Sequence, residues 1–280
     1  MQQVKVEPYS GGCGGLVSGV DLGNLTDEEF TVVRDAFLQY GVIFFRHQQL
    51  SQEQHLALAR RFGSIVINKF FPETSEYHEI AEVRKEPAQK TNIGGGWHTD
   101  HSYDEIPAMG SILVARELPS SGGDTLFCNM SAAFDGLSDG LKTTLKGLSA
   151  IHSNEHLYGE QGLYKKTDIA DLLHGKDLVG KAVHPVVIEH PETGREILYV
   201  NPGHTRRFDG WSAAESKPLL DYLYSVASSA ENTCRFRWEP GSVAIWDNRS
   251  TWHLAVNDYH GERRLLHRIT IDGAPLKAAA

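Results

Sequence analysis

Cysteine is scarce in this chain: three residues in 280, Cys13, Cys128 and Cys234, widely spaced and in no CxxC pair. That excludes a disulfide framework or a zinc knuckle and fits a reducing cytosol. Long apolar runs are missing as well. They stop at the length of Val42–Phe45, far short of the roughly 20 residues that a membrane span needs. The start, MQQVKVEPYSGG, has no apolar stretch behind a basic one, so no export signal is expected. Positive charge is in deficit: 27 Lys and Arg against 36 Asp and Glu leave a formal net charge of −9 without a basic cluster. Such a surface offers no footprint for nucleic acid or anionic lipid. What the chain has in plenty is histidine, 14 residues, together with enough apolar side chains (40%) to fill one core, so a single domain over 1–280 is the simplest organisation.

The N-terminal third mixes helices with strands. Thr26-x-x-Glu29 and Ser51-x-x-Gln54 are capping boxes, and Gly41 and Gly63 stand where the two helices they open would stop. Between them Val42–Phe45 reads as a buried strand. From about residue 110 short strand candidates alternate with turn chemistry: 111–115, 124–128, a hairpin of 183–189 and 197–201 around Pro191–Gly194, then 234–238, 243–246, 252–256 and 265–271. A helical stretch over 131–147 is interrupted by Gly136 and Gly140, and Ser212-x-x-Glu215 caps a further helix. Many short antiparallel strands with helices outside predict a mainly β fold with flanking α, a two-sheet jelly roll. The polar, glycine-punctuated segment 155–180 reads as an excursion, either a plain surface loop or a lid over a site.

The chemistry starts from His98-Thr99-Asp100. In a strand, residues two apart share a face, so an imidazole and a carboxylate at this spacing reach one metal ion. A lone His-x-Asp is expected by chance in a chain this rich in histidine, and context raises it. Gly94–Gly96 and Trp97 deliver the chain to His98, and Trp246-Asp-Asn-Arg-Ser-Thr-Trp-His253 places a second histidine after a tight turn. Two histidines and a carboxylate make the facial triad of non-haem iron(II) oxygenases, which leaves positions open for a chelating co-substrate and oxygen. A dicarboxylate such as 2-oxoglutarate needs a guanidinium for its far end. In 264–271, Arg264, Leu266, Arg268 and Thr270 share one strand face and Leu265, His267, Ile269 and Ile271 the other. Two arginines on one face imply two anion sites, one for co-substrate and one for substrate.

Together, Trp97-His-Thr-Asp100, Gly122-Gly-Asp-Thr125, Trp246-Asp-Asn-Arg249, His253 and Arg264-x-x-x-Arg268 resemble the taurine dioxygenase (TauD/TfdA) family of iron(II)- and 2-oxoglutarate-dependent oxygenases, which also holds aryloxyalkanoate dioxygenases. The resemblance runs from Gly41 to Ile271. It implies a double-stranded β-helix, with His98, Asp100 and His253 as iron ligands, Thr125 and Arg264 on the 2-oxoglutarate carboxylate, and Arg268 on the acidic group of a small organic substrate. It implies use of oxygen and release of succinate and carbon dioxide on C–H hydroxylation. Where the family grips taurine with His, Tyr and Asn, this chain has Asn68, Phe71 and Gly94, and His204 stands in place of a pocket Phe. Losing that polar grip while keeping Arg268 points to an anion other than taurine: a carboxylate, sulfonate or sulfate, aryloxyalkanoates included.

The other readings are a taurine or alkylsulfonate dioxygenase proper, a zinc hydrolase on the same triad, which leaves Arg264 idle, and a non-catalytic jelly-roll binding protein. A homo-oligomer is compatible with all of them. His101 should point away from His98 if both lie in a strand. His152 and His156 border the presumed lid, and either touch substrate or lie at the surface. His47, His55, His174, His190 and His260 are expected in solvent, and Phe127 and Trp246 as packing around the metal.

Overall fold

A computed structural model describes residues 3–172 and 178–280 of the chain. In chain order its strands are β1 (Lys5–Pro8), β2 (Gly15–Ser18), β3 (Val42–Phe45), β4 (Ile65–Val66), β5 (Ala81–Lys85) and β6 (Gly110–Glu117). Next come β7 (Thr125–Asn129), β8 (Ser149–Ser153), β9 (Lys181–Pro185), β10 (Val187–Glu189), β11 (Glu196–Leu198) and β12 (Thr205–Phe208). The chain closes with β13 (Thr233–Phe236), β14 (Val243–Asp247), β15 (Thr251–Ala255), β16 (Arg264–Ile271) and β17 (Lys277–Ala278). The helices are α1 (Asp27–Tyr40), α2 (Gln52–Phe62), α3 (Met130–Asp135), α4 (Asp139–Lys146), α5 (Glu155–Tyr158) and α6 (Ala213–Ala227). The fold is thus mainly β with few helices. Among the described residues no helix is long and apolar enough to cross a membrane, and the three cysteines are buried free thiols.

Local chemistry explains the helix ends. All three capping boxes form: Thr26, Ser51 and Ser212 accept from the backbone N–H three residues on, and Glu29, Gln54 and Glu215 return the bond. Gly41, at φ 71°, ends α1 in the left-handed region that glycine tolerates and turns the chain straight into β3. In 131–147 only Gly136 breaks the helix; Gly140 lies inside α4, where the buried Leu145 offsets its cost of about 1 kcal/mol.

An eight-stranded sheet runs in the order β1-β2-β3-β14-β6-β16-β4, with β5 also paired to β16. Its two faces are both covered, which is why its central strands read as unbroken apolar runs. On one face Ile43, Phe45, Ile112, Ile245 and Ile269 pack against Val33, Phe37, Leu56 and Phe62 of α1 and α2. On the other, Phe44, Leu113, Trp246 and Leu266 meet Phe127, Phe236 and Trp238 from the region of the three-stranded sheet β13-β7-β15. Phe44 stacks on Phe236 with ring centroids 4.2 Å apart; burying each such ring contributes roughly 1.5–3 kcal/mol. Elsewhere α3 and α6 close over β10 and β11, with Trp252 in the same cluster.

Histidine burial departs from the sequence expectation. His47 and His260 are exposed, but His55 and His190 are buried, and His174 lies outside the described residues. His55 is on the inner face of α2, and His190 pairs with Asp247 at 3.0 Å. His152, on β8, is neither at the surface nor on the cavity: it is fully buried beside His184.

Candidate metal centre

β14 and β15 are joined by a turn that Asp247 holds. Its carboxylate accepts from the Arg249 backbone N–H and Nε, both at 2.8 Å, and from Arg249 Nη2 at 2.6 Å, and it meets His190 at 3.0 Å. Burial alone would raise this carboxyl, but Arg249 and His190 hold it below the usual carboxylate range. Asn248 continues the frame: its Oδ1 accepts from Trp246 Nε1 at 2.8 Å and its carbonyl from Thr99 Oγ1 at 2.5 Å. The turn is thereby tied to the residue between His98 and Asp100.

His98 and His253 are cross-strand partners in an isolated antiparallel bridge, exchanging backbone bonds of 3.1 and 2.8 Å. Here the strand expectation needs correction. The bridge stops at His98, Asp100 opens a turn, and His101 takes a positive φ of 59°. His98 and Asp100 converge because a turn folds the carboxylate back, not because both sit on one strand face. His101 consequently joins the cavity wall, its Nδ1 2.9 Å from Asp104.

One ligand atom from each of His98, Asp100 and His253 lies within 4.8 Å of the others. Nε2 of His98 is 3.6 Å from Asp100 Oδ1, and Nε2 of His253 is 3.7 Å from Oδ2. Nδ1 of His98 is engaged with the Gly96 carbonyl at 2.8 Å, which directs Nε2 at the site. Burial lowers the His253 imidazole to about 3, so it is neutral, the ligating form. Burial would raise Asp100, but Arg268, His253 and His98 hold it ionised well below the ordinary range. Trp246 and Phe127 pack on the His253 ring at 4.8 and 6.3 Å, as expected. A neutral imidazole, an ionised carboxylate and an aromatic wall suit a divalent ion.

Both arginines of β16 face this cavity, of about 520 Å³, a size typical of small-molecule sites. Arg268 Nη2 donates to Asp100 Oδ2 at 2.7 Å and to Ser111 Oγ at 2.9 Å, and its Nε has no partner. Arg264 is buried with Nε and Nη2 unpartnered, flanked by the rings of Trp238 and Tyr259. Thr125 lines the same end, its Oγ1 accepting from Trp238 Nε1 at 3.0 Å. Gly123, at φ 69°, makes room: a Cβ there would come within 3.0 Å of Arg264 Cδ.

Asn68, Phe71, Gly94 and His204 all line the cavity with the triad. Asn68 Oδ1 accepts from the Phe70 and Phe71 N–H groups, so it shapes the turn that presents Phe71. Gly94, at φ 78°, passes close to His98, where a Cβ would lie 3.2 Å from Cε1. The His204 ring is 6.1 Å from that of His98 and 4.8 Å from Tyr103. Of the two lid-flanking histidines only His156 lines the cavity. Sequence reasoning missed Trp238, Tyr103, Tyr158 and Tyr164; Trp238 comes by cross-strand packing, Tyr158 and Tyr164 by the segment after β8, and Tyr103 by the turn that Asp100 opens.

Comparison with known proteins decides the family. The model described as "Taurine catabolism dioxygenase TauD, TfdA family" matches residues 5–270. The chain belongs to this family. An alkylsulfatase of Acinetobacter baylyi is 35% identical over 277 residues, covering 97% of this chain and 86% of its own length. An alpha-ketoglutarate-dependent sulfate ester dioxygenase of Pseudomonas putida is 34% identical, covering 97% and 90%. The crystal structure of AAD-2 in complex with Mn(II) and N-oxalylglycine superposes with a TM-score of 0.81 at 27% identity, over 99% of this chain and 100% of its own. As a TauD/TfdA protein the chain is a 2-oxoglutarate-dependent dioxygenase using iron(II) and oxygen, and its neutral-histidine and carboxylate donor set fits that metal. The zinc hydrolase and non-catalytic readings fall with this membership.

Proposed function

We propose that this dioxygenase hydroxylates a C–H bond of a small organic anion with an apolar body, a sulfate ester, sulfonate or aryloxyalkanoate-like carboxylate rather than taurine. One observation carries the reading: a buried guanidinium, Arg268, with a free Nε, at the metal end of a cavity whose wall includes the aromatic cluster Phe70, Phe71, Tyr103, Tyr158 and Tyr164. The named activities of the sulfate ester dioxygenase and alkylsulfatase relatives support it.

His98, Asp100 and His253 would hold iron(II), which when bound couples decarboxylation of 2-oxoglutarate, to succinate and carbon dioxide, with oxygen insertion into the substrate C–H bond. The residues around it bind and orient. Arg264 takes the far carboxylate of 2-oxoglutarate. Thr125 already accepts a bond from Trp238, so its own hydroxyl proton is free to go to that carboxylate. Arg268 spans two tasks: Nη2 steadies Asp100 while the unpartnered Nε meets the substrate anion. Phe71 and His204 shape the substrate wall, with Asn68 and Gly94 setting the loops that carry it. Of the 155–180 excursion, residues 173–177 lie outside the described residues; the described part serves as the lid of a single 1–280 unit, its Leu157, Tyr158 and Tyr164 excluding water. The facing sheets constitute the double-stranded β-helix. Hydroxylation at a carbon bearing an ether or sulfate oxygen would be followed by collapse to a carbonyl compound and the leaving group. Three free thiols fit a cytoplasmic home.

The test is substrate-stimulated succinate release over a panel of alkyl sulfates, sulfonates and aryloxyalkanoates. Arg268→Ala is expected to lose the stimulation by acidic substrates while retaining 2-oxoglutarate binding, and Asp100→Ala to lose all turnover. Equal loss of substrate and 2-oxoglutarate binding in Arg268→Ala would refute the division between the arginines.

A further inference from the structure

Lys85 is one of the most deeply buried large side chains of the molecule, 2% exposed, at the end of β5. Its register partner across the antiparallel β5–β16 pair is Arg264, so the two side chains project to the same sheet face. Val83, two residues earlier on that face, lines the cavity. The Lys85 ammonium donates to Asn257 Oδ1 at 2.7 Å and sits 4.4 Å from the Tyr259 ring centroid. Arg264 Cζ is 5.9 Å from the same centroid. The two charges are therefore no further apart than these distances together, about 10 Å.

Among the described residues neither cation has a carboxylate at ion-pair distance; Asp168 and Asp124 act on Lys85 and Arg264 only through their fields. Asp124 and Asp258 bind Arg235, and Asp168 accepts the backbone N–H groups of Lys90 and Thr91. A second cation on this face adds to the positive field into which an anion at Arg264 is drawn.

We propose that Lys85 is a second cation for the distal carboxylate of 2-oxoglutarate, acting through its field beside Arg264, and so selects a dianionic 2-oxo acid over a monoanionic one. The inference rests on the reading of Arg264 and Thr125 as the seat of that carboxylate. Lys85 is a positioning residue: it does not line the cavity, and Arg264 makes the contact. At an effective dielectric of about 20, a unit charge about 10 Å from the carboxylate would change its binding constant roughly tenfold. A purely structural role is the competing account, because Asn257 Nδ2 also donates to the Lys90 carbonyl and Lys85 could merely brace that link.

The two accounts separate by ligand charge. Calorimetry on Mn(II)-loaded protein without oxygen would compare 2-oxoglutarate with 2-oxopentanoate, which has the same 2-oxo acid head and no distal carboxylate. Lys85→Gln is expected to weaken 2-oxoglutarate about tenfold and leave 2-oxopentanoate unchanged, with Lys85→Arg restoring most of the preference. Lys85→Met serves if the Gln variant does not fold. Asn257→Ala, which cuts the brace and keeps the charge, should preserve the preference. If Lys85→Gln weakens both ligands alike, or neither, while Arg264→Gln still loses 2-oxoglutarate selectively, the role of Lys85 is overturned and the Arg264 reading stands. If Arg264→Gln also fails to discriminate, the underlying reading falls.

Discussion

The eight residues of β16 are all buried, yet its two faces differ in kind. Toward α2, Ile269 and Ile271 are apolar and His267 takes a 3.0 Å bond from Arg116 Nε. Toward the cavity, Arg264 and Arg268 keep donors without partners. His55, on the α2 side, also has two unpartnered ring nitrogens, but it can relieve the cost by staying neutral. An arginine cannot, since its charge persists at any ordinary pH. Unpartnered polar atoms thus mean different things on the two faces: on one they belong to a neutral core histidine and to a single nitrogen of Arg116, whose Nε and Nη1 are bonded to His267 and the Leu50 carbonyl, and on the other to cations awaiting an anion.

Replacing a cavity-side cation should break function without breaking the fold. Arg264→Leu is expected to weaken 2-oxoglutarate by about 3 kcal/mol, over a hundredfold, while the melting temperature of the ligand-free protein holds or rises, because an uncompensated buried charge is gone. Calorimetry and a thermal melt read the two effects; a large drop in melting temperature would show that Arg264 is structural.

Acid should act on the helix side as well as on the buried cavity histidines. Burial, with Arg116 and His267 nearby, lowers His55 to about 3 from its ordinary 6.5. The unfolded chain therefore takes up this proton first, and stability falls as pH drops through 6.5 toward 3. Between pH 7.5 and 5 one such histidine removes about 2 kcal/mol. Urea unfolding of His55→Leu at the two pH values should show a correspondingly smaller loss than the parent, and parallel losses would sink the assignment. The gentlest comparison is Ile269→Val, expected to cost about 1 kcal/mol of stability with 2-oxoglutarate affinity unchanged.

Much of this was legible because it depends on neighbours in sequence. Capping boxes at Thr26, Ser51 and Ser212 need only residues three apart, and the alternation in 264–271 needs only the strand period. The triad residues are legible for the same reason, although the turn after His98, and not strand parity, carries Asp100 to the site. The burial of His190 and His55 is not legible in the sequence, because it depends on Asp247, 57 residues from His190, and on the packing of α2 against the sheet.

By itself, then, the sequence determined the element types, the alternating faces of β16 and the residues able to hold a metal and two anions, since each follows from local periodicity and side-chain chemistry. Only the tertiary structure decided that Arg268 shares its guanidinium with Asp100, that Trp238 frees the Thr125 proton, and that Lys85 stands beside Arg264. Those relations arise from strand register and sheet packing, which bring together residues more than a hundred positions apart and leave no spacing to read.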